Sequence, residues 1–200
     1  MGTWLVLIYK VPAEPTRLRA GVWRKLKAAG AIYLQNGVAA LPADGGNERV
    51  LRGIVHEIAA MQGTGYLLEG SPLGDGRDLL AAFMAARDAE YEEVLGRCRD
   101  FHTELARERG AGNHTFAELE ENEDDLAKLE AWLARIRRRD SFGAPKRAEA
   151  EAAMAACRAD LESFAGAVYQ YADHGSAAGQ AWDAADDQPA SRDVRPTVRE

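Results

Sequence analysis

The sequence is poor in the residues that build metal centres and covalent frameworks. Its 200 residues include two cysteines, Cys98 and Cys157, and four histidines. Two thiols are too few for a disulfide framework and suit a reducing, cytoplasmic setting. The histidines make no ligand spacing with the cysteines, so no metal site and no cofactor are expected. No apolar run approaches the ~18–20 residues of a membrane span. The opening MGTWLVLIYK has no basic n-region, and Val6 stands where a myristoylation pattern asks for Ser or Thr; neither a signal peptide nor a lipid anchor is expected. The glycine-rich GDG (74–76) and GAG (110–112) lack the strand–loop–helix setting and the lysine of a phosphate loop. A Mg²⁺-dependent nuclease would need carboxylates at the strand ends. The first strand candidate runs instead into Lys10, and the last offers only Glu69. An enzyme is not expected.

One further absence is local. Residues 15–30, PTRLRAGVWRKLKAAG, contain five basic residues and no acid, although the chain carries a formal net charge of -7. Residues 1–70 hold 8 Lys/Arg against 5 Asp/Glu, whereas residues 71–200 hold 17 against 27. This asymmetry points to a polyanion-binding module joined to an acidic one.

Hydrophobic patterning divides the chain at the same place. WLVLIY (Trp4–Tyr9) is a short apolar run of the kind that forms a buried central strand. The basic helix follows; AIYLQ and VAALP then flank Asn36-Gly37, a strong two-residue hairpin signal. A helix with Val50, Leu51, Ile54, Val55 and Ile58 on one face precedes GYLLEG, a last strand. The order βαββαβ over residues 1–72 is the ferredoxin-like plan, with both helices on one face of four strands.

Residues 73–172 read as three long helices with apolar seams. The first runs through Leu80, Met84, Arg87, Tyr91, Val94, Cys98, Phe101 and Leu105. The second has Leu119, Asn122, Leu126, Leu129, Leu133 and Ile136, and the third Met154, Cys157, Leu161, Phe164, Val168 and Tyr171. Such seams spell helix-on-helix packing. Thr115 with Glu118 forms a capping box, and Pro145 suits a first helical turn. Short connections predict an antiparallel three-helix bundle, so the fold class is α+β. Residues 173–200 are polar and without pattern, and read as a disordered tail.

On the basic helix, Leu18, Val22, Leu26 and Ala29 share one arc and should face the sheet. Arg17, Arg24, Lys25 and Lys27 lie opposite, with Arg19 and Trp23 at the border. A solvent-facing row of cations with an aromatic at its edge suits phosphate contacts on double-stranded DNA; an ordinary solvated face is the other reading. Arg87 marks a second candidate. It occupies a seam position that ought to be apolar, and a buried Arg needs an anionic partner. Folding the first two long helices back on each other brings it near the cluster Arg135, Arg137, Arg138 and Arg139, with Lys146 and Arg147 at the start of the next helix. These seven cations could form an oxyanion pocket, or Arg87 could pair with Glu90 or Asp140 and leave the cluster solvated. Cys98 and Cys157 should share a bundle layer, as inert buried thiols or as a pair open to oxidation. Asn122 reads as a register-fixing polar residue with His102 as its partner.

Taken together, LIYKVPAEPTRLRAGVWRKLKAAGAIYLQNGVAALP, ARDAEYEEVLGRCRDF and FAELEENEDDLAKLEAWL…RRRDSFGAP resemble the N-terminal region of the chromate-resistance regulator family ChrB, over roughly residues 4–171. The resemblance implies a cytoplasmic, DNA-binding transcription regulator, usually a repressor of a chromate-efflux operon that responds to chromate, and a homodimer is expected. Family members often continue into a C-terminal domain, for which the polar stretch after Asp173 is too short. A module that binds a partner or an oxyanion such as chromate without binding DNA is the alternative.

Overall fold

The computed structural model describes residues 2–185, with side chains to Asp173. The fold is α+β, with a four-stranded antiparallel sheet and five helices. The elements run β1 (Trp4–Lys10), α1 (Thr16–Ala29), β2 (Ile32–Gln35), β3 (Val38–Pro42), α2 (Gly45–Ala60), β4 (Thr64–Gly70), α3 (Arg77–Ala111), α4 (Phe116–Arg139) and α5 (Arg147–Ala185). The strands lie in the order β2-β3-β1-β4. Asn36-Gly37 turns β2 into β3, with Gly37 at φ +75°, and Tyr9 N–H donates to the Gly37 carbonyl at 2.7 Å. A Cβ at Gly37 would come within 2.5 Å of the Tyr9 carbonyl oxygen, which makes glycine the fitting residue.

Period-two alternation assigns the two faces of β1. Its Tyr9 sits opposite Gly65 on β4, and a side chain at Gly65 would point into Val55 and Ile58 of α2. Leu5 and Leu7 therefore face the helices and share a core with Val22, Leu26, Leu51, Ile54 and Ile58. Trp4 faces the other way, against Phe83 of α3 at 5.7 Å between ring centroids, with Phe142 closing the triangle at 5.8 and 5.5 Å.

The three long helices surround a second core, built from Tyr91, Val94, Cys98, Leu105, Leu126, Ile136, Met154, Cys157 and Phe164 among others. Tyr171, the last residue of the third seam, is exposed and stacks on His114 of the α3–α4 turn at 4.4 Å instead of joining the core. The other seam positions are those of the sequence except at the start of α3. There Leu80 is exposed while Phe83 is fully buried and belongs to the sheet core, together with the half-buried Leu79 and Ala86. The first turns of α3 pack on the sheet rather than on α4 and α5, so their buried face is rotated from the seam that follows. Thr115 Oγ1 accepts from Glu118 N–H at 3.2 Å, capping α4 as its sequence requires. Asn122 donates to the Glu118 carbonyl and not to His102, which turns instead to Asp160 at 2.7 Å. Helix α5 runs on to Ala185, through the first part of the stretch read as a polar tail; residues 186–200 lie outside the described residues.

Candidate nucleic-acid interface and the arginine junction

Helix α1 buries Val22 and Leu26 and turns its charged side outward, as its 3.6-residue period dictates. Its first turn contains no acid, and Lys27 occupies the last. Gly30, at φ +83°, closes the helix in the Schellman pattern: Gly30 N–H donates to Lys27 O and Ala31 N–H to Leu26 O, each at 3.0 Å. Arg17, Arg19, Arg24, Lys25 and Lys27 are all exposed. Lys25 forms an ion pair with Glu57 of α2, so α2 supplies to this surface an acid that α1 lacks. Among the described residues Arg17, Arg19, Arg24 and Lys27 have no acidic partner. Lys27 lies over the Trp23 ring at 5.3 Å, and Trp23 itself is half exposed. Arg19 and Trp23 flank Tyr9 and Tyr33 around a cleft of about 620 Å³. Burial pushes the Tyr33 hydroxyl above its ordinary range, and a hydrogen bond with Tyr9 adds to the shift. The result is a row of free cations beside an aromatic, hydroxyl-bearing recess. Such a surface can hold phosphates and stack an apolar or planar group.

Five of the seven cations of the second candidate divide among several acids. Arg87 is 3% exposed. Its Nε lies 3.3 Å from Glu90 Oε2, and its guanidinium sits 5.1 Å over the Phe83 ring. Neither Nε nor Nη1 makes a hydrogen bond of good geometry. Burial pulls the Arg87 pKa down, against the pull of Glu90 that holds it up. Arg139 grips the same Glu90 with two bonds, at 2.8 and 3.2 Å, and its Nη1 donates to the Ala28 carbonyl in the last turn of α1 at 3.3 Å. A cation at that end also complements the helix dipole. Arg137 and Arg147 share Glu151, and Lys146 pairs with Glu92. Arg135 and Arg138 are exposed on α4.

Beside this junction lies a buried polar anchor. Asp140 accepts from the Tyr91 hydroxyl at 3.0 Å and from the N–H groups of Gly143 and Ala144 at 3.0–3.1 Å, fixing the turn into α5. Lys146 N–H donates to Asp88 at 2.8 Å. Periodicity names Arg87 but not the aromatic triangle Trp4–Phe83–Phe142, whose Phe83 ring lies under its guanidinium, because those three residues are remote in sequence and meet only where the sheet touches α3. Lower in the helical body, Cys157 Sγ lies 3.8 Å from the Cys98 carbonyl and 3.5 Å from His102 Nε2. Burial pushes the Cys157 thiol up to about 12, the condition of an inert core thiol.

The decisive comparison is with the family model of ChrB, N-terminal, which matches residues 19–175. The chain belongs to the ChrB family. The match spans most of the basic helix, strands β2 to β4, the arginine junction and the seams of all three long helices. A search of curated proteins finds no match. No helix among the described residues is long and apolar enough to cross a membrane.

Proposed function

We propose that this ChrB-family chain is a DNA-binding regulator, in the sense of a repressor, of a chromate-resistance operon. In this reading a ferredoxin-like body presents α1 to DNA, and the three-helix bundle supplies dimerisation, chromate response or both. The observation that carries the DNA reading is the outer face of α1. Four of its cations have no acid partner among the described residues, in a chain of net charge -7, and backbone phosphates are the ligand such a row suits. Phosphate contacts set register and orientation without reading bases, so the proposal concerns affinity and salt dependence.

The test is fluorescence anisotropy with a duplex from the upstream region across a salt series. Removing two phosphate contacts with Arg17→Gln/Arg24→Gln should lower the slope of log K against log salt by about 1.8, at ~0.9 per contact. An unchanged affinity and slope would remove α1 from the interface. Repeating the titration with chromate present tests the response, which weaker binding would support.

A further inference from the structure

From residue 77 to residue 158, every lysine and arginine except Arg135 and Arg138 has a carboxylate of the described residues within 4.0 Å. In an acidic helical body this pairing is the rule, and the two exceptions lie together, at i and i+3 on the exposed side of α4. They also lie at one particular place. Arg135 and Arg138 form one wall of a cleft of about 360 Å³ that is also lined by Arg139 and Ser141, by Ala28 of α1, and by Asp44, Gly46 and Asn47 at the start of α2. Ala28 continues the row on α1. Arg17, Arg24 and Ala28 fall within about 40° of one another at 100° per residue, so the row points into the cleft. Arg49, exposed on α2 three residues after Gly46, also has no acidic partner among the described residues.

We infer that Arg135 and Arg138 extend the DNA-backbone contact of α1 onto the helical body, so that one phosphate track crosses both halves of the molecule. This inference rests on the DNA reading of α1. Three features favour a polyanion over a single free oxyanion. The free cations form a line rather than a cage: from Arg17 to Ala28 is already about 16 Å at 1.5 Å per residue, a length of duplex that carries several phosphates. Arg139 also lines the cleft, but its guanidinium is spent on Glu90 and the Ala28 carbonyl. Asp44, the one carboxylate lining the cleft, is bound to Asn47 through both oxygens, yet its charge would still oppose a small anion enclosed beside it. A duplex resting on the rim avoids that penalty and meets the two arginines in solvent, where they are free to reach.

The same bond that aligns the track makes it rigid. Arg139 ties the end of α4 to the end of α1, so the cations on the two helices keep a fixed spacing, as a register-setting contact requires.

The experiment is the salt series above with full-length Arg135→Gln/Arg138→Gln, and Arg97→Gln/Arg99→Gln as the control for removing two paired arginines from the same body. The slope should fall by about 1.8 for the first variant and stay unchanged for the control. Circular dichroism and a urea midpoint confirm folding, and Arg138→Gln alone, with half the slope change, serves if the double variant is unstable. If the wild type binds duplex with a slope that depends on Arg17 and Arg24 but not on Arg135 and Arg138, the extended track is overturned and the α1 reading stands. If Arg17→Gln/Arg24→Gln changes nothing, the α1 reading falls and the track with it. Calorimetry with sodium sulfate and sodium chromate supplies the remaining outcome: heat abolished by Arg135→Gln/Arg138→Gln, with the DNA slope intact, would make the cleft a free-oxyanion site and refute the inference.

Discussion

Two glycines on and beside α1 should respond to the same substitution with opposite signs. Gly30 is left-handed at φ +83°, and a Cβ there would stand 2.2 Å from Arg87 Nη1, 2.8 Å from Arg139 Cδ and 3.1 Å from Arg139 Cβ. The left-handed backbone alone costs an L-residue about 1–2 kcal/mol. Arg87 cannot swing clear, because it is boxed by the Phe83 ring and Glu90 and is almost wholly buried. Moving either guanidinium weakens a charge-assisted contact to Glu90, worth about 1.5–3 kcal/mol. Gly30→Ala should therefore destabilise the chain by about 3 kcal/mol or more, a fall of roughly 6–12 °C in Tm at this size. Gly21 sits inside α1, and a methyl group added there would meet no atom within 4 Å. Gly21→Ala should therefore stabilise by about 0.5–1 kcal/mol, by removing the backbone entropy that glycine loses on folding. Urea denaturation followed by circular dichroism measures both. A Gly30→Ala cost below about 1 kcal/mol would mean that the junction yields easily and that α1 is not held by Arg87 and Arg139.

Phe83→Ala removes a fully buried ring from the meeting point of sheet and helices and should cost about 3–5 kcal/mol in the same assay; a loss confined to about 1 kcal/mol would show the two bodies to be weakly joined. Tyr91→Phe leaves the buried Asp140 carboxylate without one of its donors and should cost about 1–3 kcal/mol, with Phe142 near-UV signals a check on the α4–α5 turn. The Cys157 thiol, pushed up to about 12, and the hydroxyls of Tyr33 and Tyr91, raised by burial, all favour their protonated forms when folded. Their contribution is full below the unfolded values of about 8.5 and 10 and is lost as pH rises through the folded ones. The urea midpoint should therefore fall from about pH 9 upward, and a flat midpoint to pH 11 would refute the assignment. For the same reason a thiol-reactive dye at pH 8 should label neither cysteine in the native chain and both in denaturant; prompt native labelling would show Cys157 to be accessible.

Local chemistry decided much of this structure. The apolar run at Trp4–Tyr9, the Asn36-Gly37 turn, the capping box at Thr115 and the seams from Arg87 onward specify their elements because each depends on residues only a few positions apart. The period of α1 likewise determines which side is charged. Tertiary structure decided what those charges meet. Lys25 finds Glu57 on a neighbouring helix, Arg87 and Arg139 converge on Glu90, and Arg135 and Arg138 find no acid among the described residues. It also decided that the start of α3 belongs to the sheet core, through Phe83 against Trp4. A side chain's charge and its helical phase are properties of its own segment. Whether it is neutralised, buried or left free depends on which distant segment packs beside it, and for this chain that difference separates a structural arginine from one available to a phosphate.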